Sequence, residues 1–495
     1  METYLLAIDI GTTSTKGLAI RPDGEILSNF QKEYPTYYTQ SGSAEQDPEE
    51  VFQAVVEIIT QSVQFNSGGF LAGVSFSGAM HSLLAVGKAG EPLTRLMTWA
   101  DTRSAKQAEE LRSMALGKTV YSQTGTPIHP MSPLCKLMWM KEEQPGLFRE
   151  AYKFVSMKEY VFARLFGEYV VDYSIASASG LFDVHSLTWS SDVLRLLNIE
   201  EGKLSRPVSP YHRCSGLSSD WATRLPISRE TPFIVGANDG CLAHLGCGAM
   251  SPGDLSVTIG TSGAVRMASS SYYPDQHSRI FNYRLDEHTF IAGGATNNGA
   301  VLLTWSEENI EGVKPDGAAF VDEAFSVPGS EGLIFLPFLL GERAPMYDSQ
   351  AKGVFLGIRI QHKKAHFKRA ILEGICFELK SIAQAVEEVI HPIGRVIASG
   401  GFVKSDRWVQ LLSDILGKPI IVNSQNDASS LGAALQGFQA LGIKTSMERK
   451  EELEKSFVPN EKNHQYYQKV FEIVEPLYDK LKGDFAKLSK LGPES

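Results

Sequence analysis

The sequence predicts two α/β domains that face each other across a cleft, and three observations carry that expectation. The chain has 495 residues, too many for one hydrophobic core and a natural length for two domains. A strand, a Gly-Thr-rich turn and a second strand occur twice, as L-A-I-D-I-G-T-T-S-T-K-G-L-A at Leu6–Ala19 and as L-S-V-T-I-G-T-S-G-A-V-R-M at Leu255–Met267. Strand–turn–helix units then fill the end of the second half, as α/β layering requires.

The apolar run Tyr4–Ile10 is the first strand, Lys16–Arg21 the second and Glu25–Phe30 the third, with Asp23-Gly24 as a tight turn between the last two. A helix follows over Val51–Val63. Asp47 is its expected N-cap, Pro48 suits the first helical position, and Glu50 is expected to complete a capping box. The repeat puts the start of the second domain near Ser251-Pro252-Gly253, and Phe281–Arg284 with Thr289–Ala292 forms a hairpin around Asp286-Glu287. Arg395–Ala398 leads through Gly400-Gly401 into a helix over Trp408–Leu416, and Ile420–Val422 into one over Ala428–Leu441. The expected division is therefore 1–248, 249–445 and a tail, 446–495, charged from Glu448 and helical through Tyr466–Leu481.

Bulk properties narrow the partners. A net charge of −10 argues against nucleic acid, yet backbone N–H groups can still bind a nucleotide's phosphates on an acidic protein. The five cysteines, Cys135, Cys214, Cys241, Cys247 and Cys376, are scattered and show no C-x-x-C pair, which fits reduced buried thiols in the cytoplasm. The chain opens directly into a strand with no leader-like segment, and the apolar run Leu333–Leu340 is too short for a bilayer, so no membrane partner is expected. A homodimer is left open.

Five motifs carry chemistry. In the first turn, Gly11 permits close backbone approach. Thr12, Thr13 and Ser14 can wrap phosphate oxygens, Lys16 adds charge, and Asp9 at the strand end is placed to hold Mg²⁺. Gly260-Thr261-Ser262 is a second such turn, with Thr258 where the first has Asp9. No G-x-x-x-x-G-K-[ST] is present, so a triphosphate gripped by two hairpin turns from opposite domains, the actin-like solution, is the expectation. In Gly236-Ala237-Asn238-Asp239-Gly240, Asp239 lies on a strand-to-helix elbow where it can accept a hydroxyl proton or simply cap the helix. Met80, His81, Trp99, Asp101, Arg103 and His129 form a polar set suited to a polyol, and Gly400-Gly401 with Ser405 admits an adenine ring.

Two longer stretches, M-S-P-L-C-K-L-M-W-M-K-E-E at Met131–Glu143 and G-V-F-L-G-I-R-I-Q-H-K-K-A-H-F-K-R-A-I-L-E at Gly353–Glu373, resemble the signatures of the FGGY family of carbohydrate kinases. T-W-A-D-T-R, T-G-T-P-I-H-P-M, A-T-N-N-G and G-E-R-A-P look like its gluconokinase branch more than its xylulokinases or glycerol kinases. The resemblance implies two ribonuclease-H-like (actin-like ATPase) domains with a deep cleft, and ATP-dependent phosphorylation of a sugar acid, D-gluconate, at its terminal hydroxyl. It makes Asp239 the base and, with Asp9, a Mg²⁺ neighbour. It puts Gly11, Thr12, Thr13, Ser14, Lys16, Gly260, Thr261, Ser262, Asn298, Gly400, Gly401 and Ser405 at the nucleotide. Met80 and His81 fall where glycerol kinases carry an Arg-Glu pair, and Met131 falls on a glycerol-contacting Tyr, which points to a longer substrate. A pentulose kinase would keep every motif but the sugar-contacting set. An actin-like ATPase would share the turns but have no use for Asp239 with the Trp99–Arg103 cluster, and a catalytically dead sensor would not keep Asp239 and both turns.

Overall fold

The computed structural model describes residues 2–423, 427–447 and 455–491. The charged start of the tail at Glu448 lies outside the described residues. The framework is two open sheets of matching topology. The first holds β1 (Thr3–Ile10), β2 (Ser14–Ile20), β3 (Ile26–Glu33), β4 (Phe70–Gly78), β5 (Arg213–Cys214) and β6 (Phe233–Asn238), in the order β5-β6-β4-β1-β2-β3. The second holds β7 (Asp254–Ile259), β8 (Gly263–Ser269), β9 (Phe281–Arg284), β10 (Phe290–Thr296), β11 (Arg395–Ser399), β12 (Ile420–Val422) and β13 (Ser456–Phe457), in the order β9-β10-β8-β7-β11-β12-β13. In each sheet an antiparallel trio (β3-β2-β1 and β10-β8-β7) is extended by two parallel strands (β4-β6 and β11-β12). The short sequence repeat is thus one corner of a five-strand repeat. The hairpin around Asp286-Glu287 forms as expected, but β10 rather than β9 takes the place beside β8.

Local chemistry explains the elements around the sheets. Helix α1 (Pro48–Phe65) starts with Asp47 accepting a bond from Glu49 N at 2.9 Å. The capping box expected with Glu50 does not form, because Tyr37 Oη donates to the Glu50 carboxylate instead, at 2.9 Å. Residues between β4 and β5 build a lobe with its own core, including Leu83, Leu111, Leu137, Phe154 and Phe182. Its helix α2 (Pro133–Glu143) is capped by Ser132. The second sheet packs on the long helix α4 (Lys364–Val389) and on α5 (Asp406–Leu416), after α3 (Asp239–Gly246) has joined the two sheets. The tail is two helices, α7 (Glu461–Val474) and α8 (Leu477–Leu488), because Pro476 interrupts the single one expected.

One helix, α6 (Ala428–Leu441), crosses over. Though it follows β12 of the second sheet, its Leu431, Ala434 and Phe438 pack on Leu5, Ala7, Leu18 and Ile20 of the first. It lies against α3 at glycine contacts that admit no side chain. A Cβ on Gly246 would stand 1.9 Å from Ala428 O, and one on Gly432 would stand 2.0 Å from Leu242 O. At its far end α3 meets the second sheet, where the His244 ring Nδ1 and Ser256 Oγ are 2.7 Å apart. These crossed helices join the sheets at the floor of the cleft. All five cysteines are buried free thiols, and among the described residues no helix is long and apolar enough to cross a membrane.

Candidate active site

Strands β1, β4 and β6 run parallel and end side by side, with Ile10 level with Gly78 and Gly78 level with Asn238. The turn 11–14, Met80-His81 and Asp239 follow those three ends, so the topology gathers motifs distant in sequence. A Cβ on Gly240 would lie 2.8 Å from Met80 Cε and 3.3 Å from Arg266 Nε, so the elbow, Met80 and a second-sheet arginine meet at one point.

Asp239 is not the helix cap. Asn238 performs that task, its Oδ1 accepting from Cys241 N at 2.7 Å while its amide donates to Ser174 O. Asp239 is thereby the first helical residue, and among the described residues its carboxylate accepts only the adjacent Gly240 N–H, at 2.7 Å. Burial first, and the Asp9 carboxylate second, raise its pKa to about 6, against the pull of Arg266, the Gly240 N–H and Lys158. Lys158 is itself buried, bonded to Asp172 at 2.7 Å and to Ala237 O at 2.9 Å, and so braces the strand end. Asp9 Oδ2 accepts from Ser429 Oγ of α6 at 2.7 Å, and its Oδ1 is buried without a protein partner. A carboxylate held by one oxygen with the other bare is a fitting contact for a hydrated Mg²⁺ carried by a nucleotide.

The two turns close differently. Gly11 N donates to Ser14 O, three residues on, at 3.0 Å, and Gly260 N to Ser262 O, two residues on, at 2.9 Å, and Thr13 and Thr261 are exposed. Thr12 Oγ1 accepts from Trp99 Nε1 at 3.0 Å, and Ser14 Oγ from Gln31 Nε2 at 3.2 Å. Lys16, expected at the phosphates, is instead ion-paired with Asp427 just ahead of α6. Gly400, at φ +97°, has room for no Cβ, which would meet Ile259 O at 2.5 Å, whereas a Cβ on Gly401 would meet nothing within 4 Å. That open face beside the second turn suits a flat base. Ser405 caps α5 through Trp408 N at 3.3 Å. Asn298, expected at the nucleotide, is fully buried. Its amide bonds Gly341 O at 2.8 Å, Glu342 Oε2 at 2.9 Å and Leu340 N at 3.2 Å, so it fixes the 340–343 turn.

The polar set divides into two groups. Asp101 is fully buried and grips Arg103, whose guanidinium also bonds Glu45 and lies 4.7 Å over the Trp139 ring. Both are committed to each other and shape the wall. His81, at φ +66°, sets Nδ1 2.8 Å from Ala178 O. His129 Nδ1 accepts from Met131 N at 3.2 Å, which puts its proton on Nε2, a buried atom with no protein partner. Burial and then neighbouring cations hold both rings below the usual histidine value, His81 at about 3. They are neutral donors or acceptors, which suits a polyol's hydroxyls.

The sequence reading missed four contributors. Lys136, inside the first long signature, is buried and donates to His81 O and Thr98 O, both at 2.6 Å, tying two wall segments together. Arg266 and Arg343 enter from the second domain. Arg266 interacts with Asp239, and the Arg343 guanidinium lies 4.8 Å over the Trp99 ring. Tyr283 packs edge-on against His81, ring centres 5.9 Å apart. Arg266 Nε, Arg343 Nε, Tyr283 Oη and His129 Nε2 are all buried without a protein partner. Buried polar groups are ordinarily paired, so this concentration marks where a polyhydroxylated ligand would be bonded. A lone arginine inside the apolar strand G-A-V-R-M was the available signal for Arg266.

The chain is similar to known carbohydrate kinases along most of its length. Residues 4–246 match the N-terminal domain model, and residues 255–441 the C-terminal domain model, of the FGGY family of carbohydrate kinases. The chain is 38% identical to a gluconokinase of Bacillus subtilis (strain 168) over 453 residues, 89% of this chain and 88% of that one. It superposes on the gluconate kinase of Lactobacillus acidophilus with a TM-score of 0.93 at 32% identity, covering 99% and 100% of the two chains. It superposes on a ligand-bound xylulose kinase of the same organism with a TM-score of 0.92 at 32% identity, covering 98% and 100%. With both domain models matched in order along the chain, this protein belongs to the FGGY family of carbohydrate kinases.

Proposed function

We propose that this kinase transfers the γ-phosphoryl group of ATP to the terminal hydroxyl of D-gluconate, giving 6-phospho-D-gluconate. The observation that carries the reading is Asp239, relieved of capping by Asn238 and tuned to about 6, beside a cluster of unpartnered buried donors. A carboxyl with that value is mostly ionised at neutral pH yet basic enough to take a hydroxyl proton as the new P–O bond forms. Thr12, Thr13 and Ser14 of the first turn and Thr261 and Ser262 of the second would hold the phosphates, and Gly400-Gly401 the base. Asp9 and Asp239 would hold a Mg²⁺ ion brought with ATP, which would neutralise phosphate charge. Met80, His81, Trp99 and His129 would line the sugar, with Asp101 and Arg103 behind them. Residues 1–248 and 249–445 are proposed as the closing bodies, which exclude water and align the hydroxyl. The reduced, buried thiols and the need for ATP favour the cytoplasm.

A structural likeness to a xylulose kinase almost as great as that to the gluconate kinase keeps a pentulose as the second reading. Product mapping separates them. Incubation with Mg-ATP and gluconate should give ADP and a phosphate ester coupled by NMR to the C6 protons. ATP hydrolysis indifferent to any added sugar would refute a sugar kinase.

A further inference from the structure

At the edge of the first sheet, three side chains of different chemistry converge. The Glu168 carboxylate, a His212 ring nitrogen and the Cys214 thiol each put a donor atom within 4.8 Å of the other two. His212 and Cys214 are two apart in the extended chain at β5, so alternation puts both on one face. Glu168 comes from elsewhere in the first domain. It follows Gly167, which ends the helix Met157–Phe166 in a left-handed turn at φ +76°. Backbone bonds hold these segments together. Ser218 N, shortly after Cys214, donates to Leu165 O at 3.0 Å, and Arg206 N donates to Tyr169 O at 3.0 Å. Cys214 is 3% exposed, His212 half-buried and Glu168 exposed, so the trio opens outward from its sulfur. Arg206 stands 3.7 Å from the Glu168 carboxylate, too far for a hydrogen bond. Among the described residues, the His212 ring and the Cys214 thiol have no hydrogen-bond partner.

We propose that Glu168, His212 and Cys214 bind one divalent metal ion of the Zn²⁺ class, away from the nucleotide and its Mg²⁺. The donor set is the reason. A thiolate and an imidazole favour Zn²⁺, whereas Mg²⁺ takes oxygen ligands. The thiolate and the carboxylate together balance the charge of the ion beside a neutral imidazole. Zn²⁺ takes such ligands at about 2.0–2.3 Å, which would draw the three donor atoms to about 3.6 Å from one another, with water as the fourth ligand of a tetrahedron. Glu168, being exposed, can make that adjustment by side-chain rotation. On binding, the Cys214 S–H bond breaks, its proton passes to solvent and the sulfur bonds the metal. The ion would clamp the chain at β5 to the turn after the helix Met157–Phe166. That chain supports β6, because Val235 N donates to His212 O and Gly236 N to Pro210 O, both at 3.0 Å. Occupancy would therefore stabilise the strand that presents Asp239.

Titration of the chelator-stripped, full-length protein with Co²⁺, in the absence of nucleotide, provides the test. Co²⁺ occupies Zn²⁺ sites and reports a bound thiolate by charge-transfer absorption in the near ultraviolet. One equivalent should produce that band, excess Mg²⁺ should leave it in place, and Zn²⁺ should remove it by displacement. Cys214→Ser should abolish the band. Glu168→Gln, at an exposed position, should weaken Co²⁺ binding by at least about tenfold, since even an outer-shell partner of a metal is worth that much. Zn²⁺ should raise the thermal midpoint of the wild type and not that of Cys214→Ser. Wild-type protein that shows no thiolate band overturns the proposal without any variant, so a misfolded variant does not shelter it. A band that survives in Cys214→Ser belongs to another cysteine and overturns it as well. Unchanged affinity in Glu168→Gln removes the carboxylate from the site and overturns the three-ligand assignment.

Discussion

Replacing Asp239 by Asn tests the catalytic chemistry and the electrostatics together. The amide keeps an oxygen for the Gly240 N–H but cannot take a proton, so turnover should fall by about two to four orders of magnitude while substrate affinity changes little. The wild-type pH profile follows from the same group. With a pKa of about 6, the base is protonated as pH falls through 6, and kcat/KM should drop about tenfold per unit below it. Stability moves the other way. The folded pKa is raised from 3.8, so the stabilising contribution of the neutral carboxyl is complete below 3.8 and lost as pH rises through about 6. At pH 7.5 the ionised group therefore destabilises the nucleotide-free protein, by at most about 3 kcal/mol for a displacement of that size. Asp239→Asn should relieve part of this and be the more stable protein in urea at pH 7.5, while near pH 4 the two should converge. ADP release coupled to a reporter gives the rates, and urea unfolding at the two pH values gives the stabilities. Near-normal turnover in the variant, or a profile flat through pH 6, would refute the role assigned to Asp239.

Other substitutions probe the remaining assignments. His129→Asn leaves an acceptor for Met131 N but removes the Nε2 donor, and steady-state kinetics should show the KM for gluconate rising about tenfold with kcat little changed; an unchanged KM would make His129 structural. Asn298→Ala strands the Gly341–Glu342 turn at a cost of about 1–3 kcal/mol per buried group left unpaired, and should raise the KM for the sugar more than that for ATP; the reverse order would return Asn298 to the nucleotide. Gly401→Leu fills open space, so thermal unfolding should be nearly unchanged while the KM for ATP rises several-fold; an unchanged KM for ATP would move the base elsewhere.

Periodicity and turn chemistry made much of this architecture legible. The hairpins around Gly11 and Gly260 are visible because an apolar run, a Gly-Thr turn and a second run leave few other readings, and the expected strands from Arg395 and Ile420 are where they were placed. Destinations were not legible. The apolar face of Ala428–Leu441 says that the helix is buried, not that it crosses to the first sheet, and the contacts of Gly432 with Leu242 O and of Gly246 with Ala428 O explain why it can. Adjacent Asn238 and Asp239 are both good caps, and the choice that frees the aspartate is made by Ser174, 64 positions away. Lys16 and Asn298 carry the right groups for a nucleotide, yet Asp427 and the 340–342 turn claim them through contacts with no local signature. Arg266 and Arg343 were overlooked for the converse reason. Each is a single charge in an ordinary stretch, and only the three-dimensional contacts with Gly240 and Trp99 reveal what it faces.

We propose a sugar acid as the physiological class of substrate. The most direct test is to let gluconate and xylulose compete for the wild-type enzyme at fixed Mg-ATP and to measure the ratio of their kcat/KM values from the two phosphorylated products. A carboxylate-binding cleft predicts a ratio of at least about tenfold in favour of gluconate, the lower end for one hydrogen-bonded charge. A ratio in favour of xylulose would overturn the sugar-acid assignment while leaving the carbohydrate kinase intact.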